Sequence, residues 1–294
     1  MQNRIVFLLI GIFPILAFSQ QKSKGIVDAK YECVWSVRFI DDTLKMIPGI
    51  EDRIILLKGD NVSYQENYLQ QQRDSTSAYL QASLMTNPDA VLEHAKTQID
   101  NLRNSTNLRE NGTHRYSSLH TLKLYKDYKA KKIKEIAQIS TNHFTYEEIL
   151  LPQNWEIRED TMTIAGYACQ KAVCDYRGRS YEAWFASEIP ISEGPWKFYG
   201  LPGLIIRLND TQRHYEFDLV EFKSTNKTID TNVLTTNKID RLGKTEKLTK
   251  IDRKKLLSVQ WGKQGGVIKK AEMEKIGFSY TPSIRNHAFI ERDF

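Results

Sequence analysis

Tyr31, Cys33, Trp35, Val37 and Phe39 put an apolar side chain at every second position, with Glu32, Ser36 and Arg38 on the alternate positions. That period belongs to a strand, and it predicts a β-strand with one face in a core and the other toward water. The pattern returns along the chain. Arg53 to Leu57 turns through Gly59-Asp60-Asn61 into Val62-Ser63-Tyr64, and strand signals follow at Thr121 to Tyr125, Lys132 to Ile139 and Phe144 to Ile149. After Trp155-Glu156-Ile157, Tyr167 to Tyr176 and Arg179 to Ala186 flank Arg177-Gly178, a two-residue hairpin turn. In that register Cys174 opposes Tyr181, Ala172 opposes Ala183 and Lys171 opposes Trp184. Ala168, Ala172, Cys174, Tyr181, Ala183 and Phe185 then share a core face. Lys171, Val173, Glu182 and Trp184 share the wetter one, where Lys171 and Glu182 are close enough to pair. A last hairpin joins Leu204 to Leu208 with His214 to Phe222 around Asn209-Asp210-Thr211-Gln212.

Helical signals are fewer. Asn87-Pro88-Asp89 is an N-cap, a first-turn proline and an acid suited to the helix dipole, and Val91, Ala95, Ile99 and Leu102 follow at helical spacing. With a shorter piece from Asp74 to Met85, this predicts a helical insertion over about 74–103. Thr249-x-x-Asp252 resembles a capping box for a helix ending near Gly262, and another short helix is expected from Val267 to Ile276. The fold class expected is mainly β, or α+β: a curved antiparallel sheet or half-open barrel with that insertion and C-terminal helices. One β-rich domain covers 20–225, and a Lys-rich extension, 226–294, packs on it.

Met1 to Arg4 carries one positive charge, Ile5 to Phe18 is almost wholly apolar, and Ala17 and Ser19 set small residues before Gln20. This order is a secretory signal peptide, 1–19, and its apolar run of about 14 residues falls short of the ~20 that span a bilayer. The expected location is periplasmic or secreted, after cleavage near Ser19 and Gln20. The net charge of +6 comes from clusters at Lys126 to Lys134 and Lys238 to Lys255, each interleaved with acids. An exported chain with such clusters presents a solvated face, and no nucleic acid is expected as a partner. Of three cysteines, Cys169 and Cys174 lie on one expected strand, pointing to opposite faces about 17 Å apart. A disulfide, where one forms, therefore joins Cys33 to Cys169 or Cys174.

Gly200-Leu201-Pro202-Gly203-Leu204-Ile205 spells GLPGLI. Around it stand Trp155, Ile157, Ile164, Gly166, Tyr167, Cys169, Lys171 and Ala172, then Gly178, Arg179, Tyr181, Ala183, Trp184, Glu188-Ile189-Pro190, Gly194-Pro195 and Lys197-Phe198. This ordered set, about 155–210, resembles the GLPGLI family, exported proteins of Gram-negative bacteria. The resemblance implies export and a β-rich fold, and it lends no activity. It is similar to families whose genes often accompany TonB-dependent outer-membrane transporters, which implies such a transporter or another envelope protein as partner.

Read physically, Leu201-Pro202-Gly203-Leu204 is a type II turn in which proline fixes φ and Gly203 takes φ > 0, while Gly200 lets another backbone approach. The segment Glu193 to Gly203 also reads as a binding loop, with Trp196, Lys197 and Tyr199 beside a proline-stiffened turn. Candidate binding residues are thus Arg179, Trp184, Trp196, Lys197 and Tyr199. No Gly-x-Ser-x-Gly, His-Glu-x-x-His, phosphate loop or dinucleotide fingerprint occurs, and six histidines are scattered without a nucleophile context. No catalytic residue, metal or cofactor is assigned. The expected function is a non-catalytic binding or accessory module of the envelope. Its alternatives are a carrier of a lipid or small apolar ligand and a cofactor-independent peptide or glycan hydrolase.

Overall fold

A computed structural model describes residues 25–43, 46–48, 51–68, 122–139, 142–235, 238–241, 244–247 and 249–250, with single positions at 71, 89, 93 and 252. The leader expected at 1–19, nearly all of the helical insertion expected at about 74–103 and the helices expected after 252 lie outside the described residues. In chain order the strands are β1 (Ile26–Asp28), β2 (Tyr31–Asp42), β3 (Ile47–Pro48), β4 (Asp52–Lys58), β5 (Val62–Asn67), β6 (Leu122–Asp127), β7 (Lys132–Ile139) and β8 (Asn142–Ile149). Then come β9 (Glu156–Ile164), β10 (Tyr167–Tyr176), β11 (Arg179–Ala186), β12 (Leu204–Asp210), β13 (Tyr215–Ser224) and β14 (Thr228–Asp230). A one-turn helix α1 (Asn232–Thr235) precedes β15 (Lys238–Arg241), β16 (Lys244–Lys247) and β17 (Thr249–Lys250).

The protein is mainly β and antiparallel. Thirteen strands form one sheet in the order β17-β8-β7-β6-β5-β4-β2-β13-β12-β11-β10-β9, with β3 paired to β2. The expected strands and hairpins stand where the alternation placed them. Arg177 and Gly178 both take positive φ, 53° and 74°, as a two-residue hairpin turn with the right twist requires. The β10–β11 register pairs Cys174 with Tyr181, Ala172 with Ala183 and Lys171 with Trp184, and Lys171 is ion-paired with Glu182.

The connector between β8 and β9 forces the sheet to curl. These strands stand ten positions apart in the sheet, about 48 Å if it were flat. Only residues 150–155 join them, a span of at most about 25 Å. The two ends must therefore approach each other, and a side-chain pair between Arg177 and Glu148 crosses from the β10–β11 turn to β8. β8 and β9 do not pair with each other, so the sheet stays open. Its inner face carries the main core: Trp35 and Val37 of β2, Leu56 of β4, Tyr181 and Phe185 of β11, Leu208 of β12 and Phe217 of β13. A smaller cluster of Leu57, Val62, Tyr125 and Ile136 lies on the other face, covered by Ala29, by Ile229 of β14 and by Val233 and Leu234 of α1.

Three expectations are corrected. Ala168 is exposed and Cys169 buried, because the β9–β10 register shifts between Gln170 and Ala172 and reverses which side chains point inward. Cys169 and Cys174 consequently both reach the core. All three thiols are free: Cys33 on β2 and the pair on β10 are four strand spacings apart, about 19 Å along the sheet, far beyond the ~7 Å limit for a bridge. Finally, Thr249 caps no helix. It pairs with Phe144 in a short parallel addition to β8.

Candidate functional site

The segment between β11 and β12, residues 187–203, runs inside the curl of the sheet. Its apolar members Trp196, Phe198 and Leu201 belong to the main core. Trp196 and Tyr181 both pack edge-on to Phe198, at 5.5 and 4.6 Å between ring centres, and Tyr176 meets Trp196 at 5.7 Å. A segment without regular structure leaves its peptide groups unpaired, and burial makes each of these costly unless a partner is supplied. Side chains from β5, β6 and the 150–155 connector supply them. Four successive carbonyls, of residues 196 to 199, accept from Gln65 of β5, Gln153, Lys126 of β6 and Trp155; the last three distances are 3.2, 3.1 and 2.9 Å. Gln153 also accepts from the Tyr199 N–H at 2.9 Å. The segment's far side is held by backbone bonds from Leu204 N–H to Ile189 and from Ile205 N–H to Glu193. Residues 187–203 are therefore a plug.

Charged groups anchor the plug at two points. Glu193, fully buried, accepts from the Lys126 ammonium at 2.9 Å and from the Tyr128 hydroxyl. Lys197, also fully buried, lies 3.0 Å from Glu148 and 3.3 Å from Glu135 and donates to the Tyr146 hydroxyl. Tyr146 in turn donates to Glu135 at 2.7 Å, and Arg177 binds Glu148. Three cations face three carboxylates, so the buried cluster is balanced in charge. Such pairs are costly to desolvate and costlier to break, so their effect is to hold the plug in one place.

The two motif glycines exchange the roles expected of them. Gly200 takes the positive φ, 100°, and a Cβ there would meet that of Pro152 at 2.5 Å. Gly203 has an ordinary φ but permits the close approach: a Cβ would fall 2.2 Å from the Ala186 carbonyl oxygen. Leu201, Leu204 and Ile205 are buried around this corner while Pro202 is exposed. The motif seats the plug where it enters β12, with Trp35 of β2 donating to the Ile205 carbonyl at 2.9 Å.

The candidate binding residues separate into two groups. Trp196 and Lys197 are 2% and 0% exposed, so they are parts of the plug and not of an open binding loop; Tyr199 is half-buried beside them, its ring 5.9 Å from that of Tyr128. Arg179 is buried as well, 2.7 Å from Asp210 and over the ring of Tyr215, where it ties β11 to the β12–β13 turn. Trp184 differs. It stands half-buried on the outer face of β11, with the Lys171 ammonium 5.9 Å from its ring centre on one side and Arg207 as its cross-strand partner on the other. Around it lie the Lys171–Glu182 pair and the Arg207–Asp218–Arg38 chain of ion pairs.

Burial pushes the thiols of Cys33, Cys169 and Cys174 up, the last to about 12, which keeps them neutral. His214 Nδ1 lies 3.3 Å from the Arg179 guanidinium. Among the described residues no group of three His, Cys, Asp or Glu is arranged to hold a metal ion. The polar residues that the alternation did not disclose are Gln65, Lys126, Glu135, Tyr146 and Glu148. Except for Gln65, whose same-phase neighbours Ser63 and Asn67 are polar, each shares the inward phase of apolar neighbours on its strand, as Lys126 does with Leu124, and that phase was the available signal.

One family model, described as a protein of unknown function (Porph_ging), matches residues 176–207. The match runs from the β10–β11 turn through the plug into β12. No curated protein matches the chain. Two solved structures of PNGF-II, in C2 and P21 space groups, are similar at a TM-score of 0.48, with 13% and 12% identity over 81% of this chain. The chain spans about a third of their length, 33% and 34%.

Proposed function

We propose that this chain is an exported, non-catalytic binding module of the GLPGLI kind, an accessory to a TonB-dependent transporter of the outer membrane. The 1–19 leader supports export to the periplasm, and the ordered set from Trp155 to Ile205 supports the kinship. The observation that carries the binding role is the position of Trp184. It is a half-exposed aromatic on a rigid sheet, ringed by the Lys171–Glu182 and Arg207–Asp218 pairs. An aromatic anchor with a charged rim is the layout of a protein-binding hot spot. The inner concavity, where a carrier would hold a lipid, is filled by Trp196, Phe198 and Leu201. The partner segment therefore meets the outer face.

The test is capture of the transporter from native envelope extract by wild-type protein, by Trp184→Ala and by Val220→Ala, a substitution at an exposed position of β13. Wild type and Val220→Ala should retain the transporter, and Trp184→Ala should lose about tenfold or more, as a hot-spot truncation does. Equal retention by Trp184→Ala, or no transporter on any of the three, would refute the proposal.

A further inference from the structure

Ile149 and Leu151 are the two most exposed large hydrophobic residues among those described, at 71% and 63%. They close β8 and open the 150–155 connector, and lysines surround them. Ile149 is the cross-strand partner of Lys132. The Leu150 N–H donates to the Lys131 carbonyl at 2.9 Å, which holds this corner against the β6–β7 turn, where Lys129, Lys131 and Lys132 are all exposed. On the adjoining outer face Lys132, Lys134 and Lys250 converge on one carboxylate, Glu147, at 3.6, 4.0 and 3.9 Å. Further acids of the corner are Asp127, which accepts from the Ala130 N–H, and the exposed Asp252, two residues past Lys250. Among the described residues five lysines thus stand against three carboxylates, a net +2. Burial lowers the pKa of Lys134; the Glu147 carboxylate opposes that shift, and the charges of Lys250 and Lys132 add to it.

Scattered apolar residues on a surface are ordinary. Here the two most exposed among the described residues share a corner with an excess of lysine. A nucleic acid would use the cations and leave Ile149 and Leu151 in water. A membrane interface uses both: lysine stems extend along the apolar boundary with their ammoniums among phosphates, and the aliphatic tips enter the headgroup region. We propose that this corner docks the protein on an anionic phospholipid surface, with Lys129, Lys131, Lys132 and Lys250 over the head groups and Ile149 and Leu151 inserted between them. This assignment does not depend on the identity of the partner at Trp184, which lies on β11.

The experiment is co-sedimentation of the full chain with vesicles of phosphatidylglycerol mixed with phosphatidylcholine, and with phosphatidylcholine vesicles alone. Binding should favour the anionic vesicles by about tenfold or more and weaken as salt rises, because exposed charges are screened. Lys129→Glu/Lys132→Glu and, separately, Ile149→Ser/Leu151→Ser should each reduce it about tenfold, while Val220→Ser should leave it unchanged. All these positions are exposed, and an unshifted melting temperature confirms that each variant is folded. Salt-sensitive binding that survives Ile149→Ser/Leu151→Ser would overturn the proposal, since the vesicles would then be held by charge alone with no apolar insertion. No preference for anionic vesicles, or an equal loss in Val220→Ser, would overturn it too.

Discussion

Cys33, Cys169 and Cys174 sit in the core as neutral thiols, and burial likewise raises the hydroxyls of Tyr128 and Tyr181 well above their ordinary values. In the unfolded chain thiols ionise near pH ~8.5 and tyrosines near ~10. The folded state keeps protons that the unfolded state releases, so this stabilisation is complete below about pH 8.5 and is lost as pH rises toward the folded values. Thermal denaturation should give a level melting temperature from about pH 6 to 8 and a fall that steepens above about 9. Replacing all three cysteines by alanine should move the onset of that fall to about pH 10, where only tyrosines remain. An onset unchanged by the triple replacement would contradict the burial of the thiols. Residue type alone did not disclose where each thiol points, because strand phase decides it, and Cys169 changes phase at an irregularity set by β9. The motif glycines teach the same lesson. Both needs, positive φ and close approach, were legible, but which glycine meets which depends on Pro152 and Ala186, remote or neighbouring backbone that the hexapeptide does not contain.

Hairpins are the elements that local sequence decides, and β10–β11 was legible to the residue because Arg177-Gly178 sets the register and alternating side chains confirm it. The plug was not. Trp196, Lys197 and Tyr199 have the composition of an exposed loop, and their burial rests on Gln65, Lys126, Gln153 and Trp155, whose partners lie 44 to 131 positions away in the chain. The Lys126–Glu193 contact tests this element directly. Lys126→Met leaves the Glu193 carboxylate buried with only the Tyr128 hydroxyl, and should cost about 3–5 kcal/mol in urea denaturation. Lys126→Met/Glu193→Leu removes both charges and should cost clearly less than the sum of the single changes, since the buried charge itself is gone. Additive costs would mean that the two side chains do not meet.

For the whole molecule, the alternation disclosed a large antiparallel sheet, and the curl follows from topology: β8 and β9 lie ten positions apart yet six residues connect them. The strand order itself was not legible, because β13 sits between β2 and β12 through pairings of residues nearly two hundred positions apart, as of Tyr215 with Phe39. Once the sheet curls, its inner face needs filling, and the 187–203 segment fills it. The lysines of the chain are thereby divided. Lys126 and Lys197 are inside with 0% exposure and Lys134 is at 2%, while Lys129, Lys131 and Lys132 are in water a few residues away. Timed acetylation of the native protein, read lysine by lysine in a mass spectrometer, measures that division in one experiment. Lys126 and Lys197 should stay unmodified until the protein unfolds, while Lys129, Lys131 and Lys132 react at the rate of free lysine. Modification of Lys197 as fast as Lys132 in the folded protein would place the motif segment outside and contradict the plug.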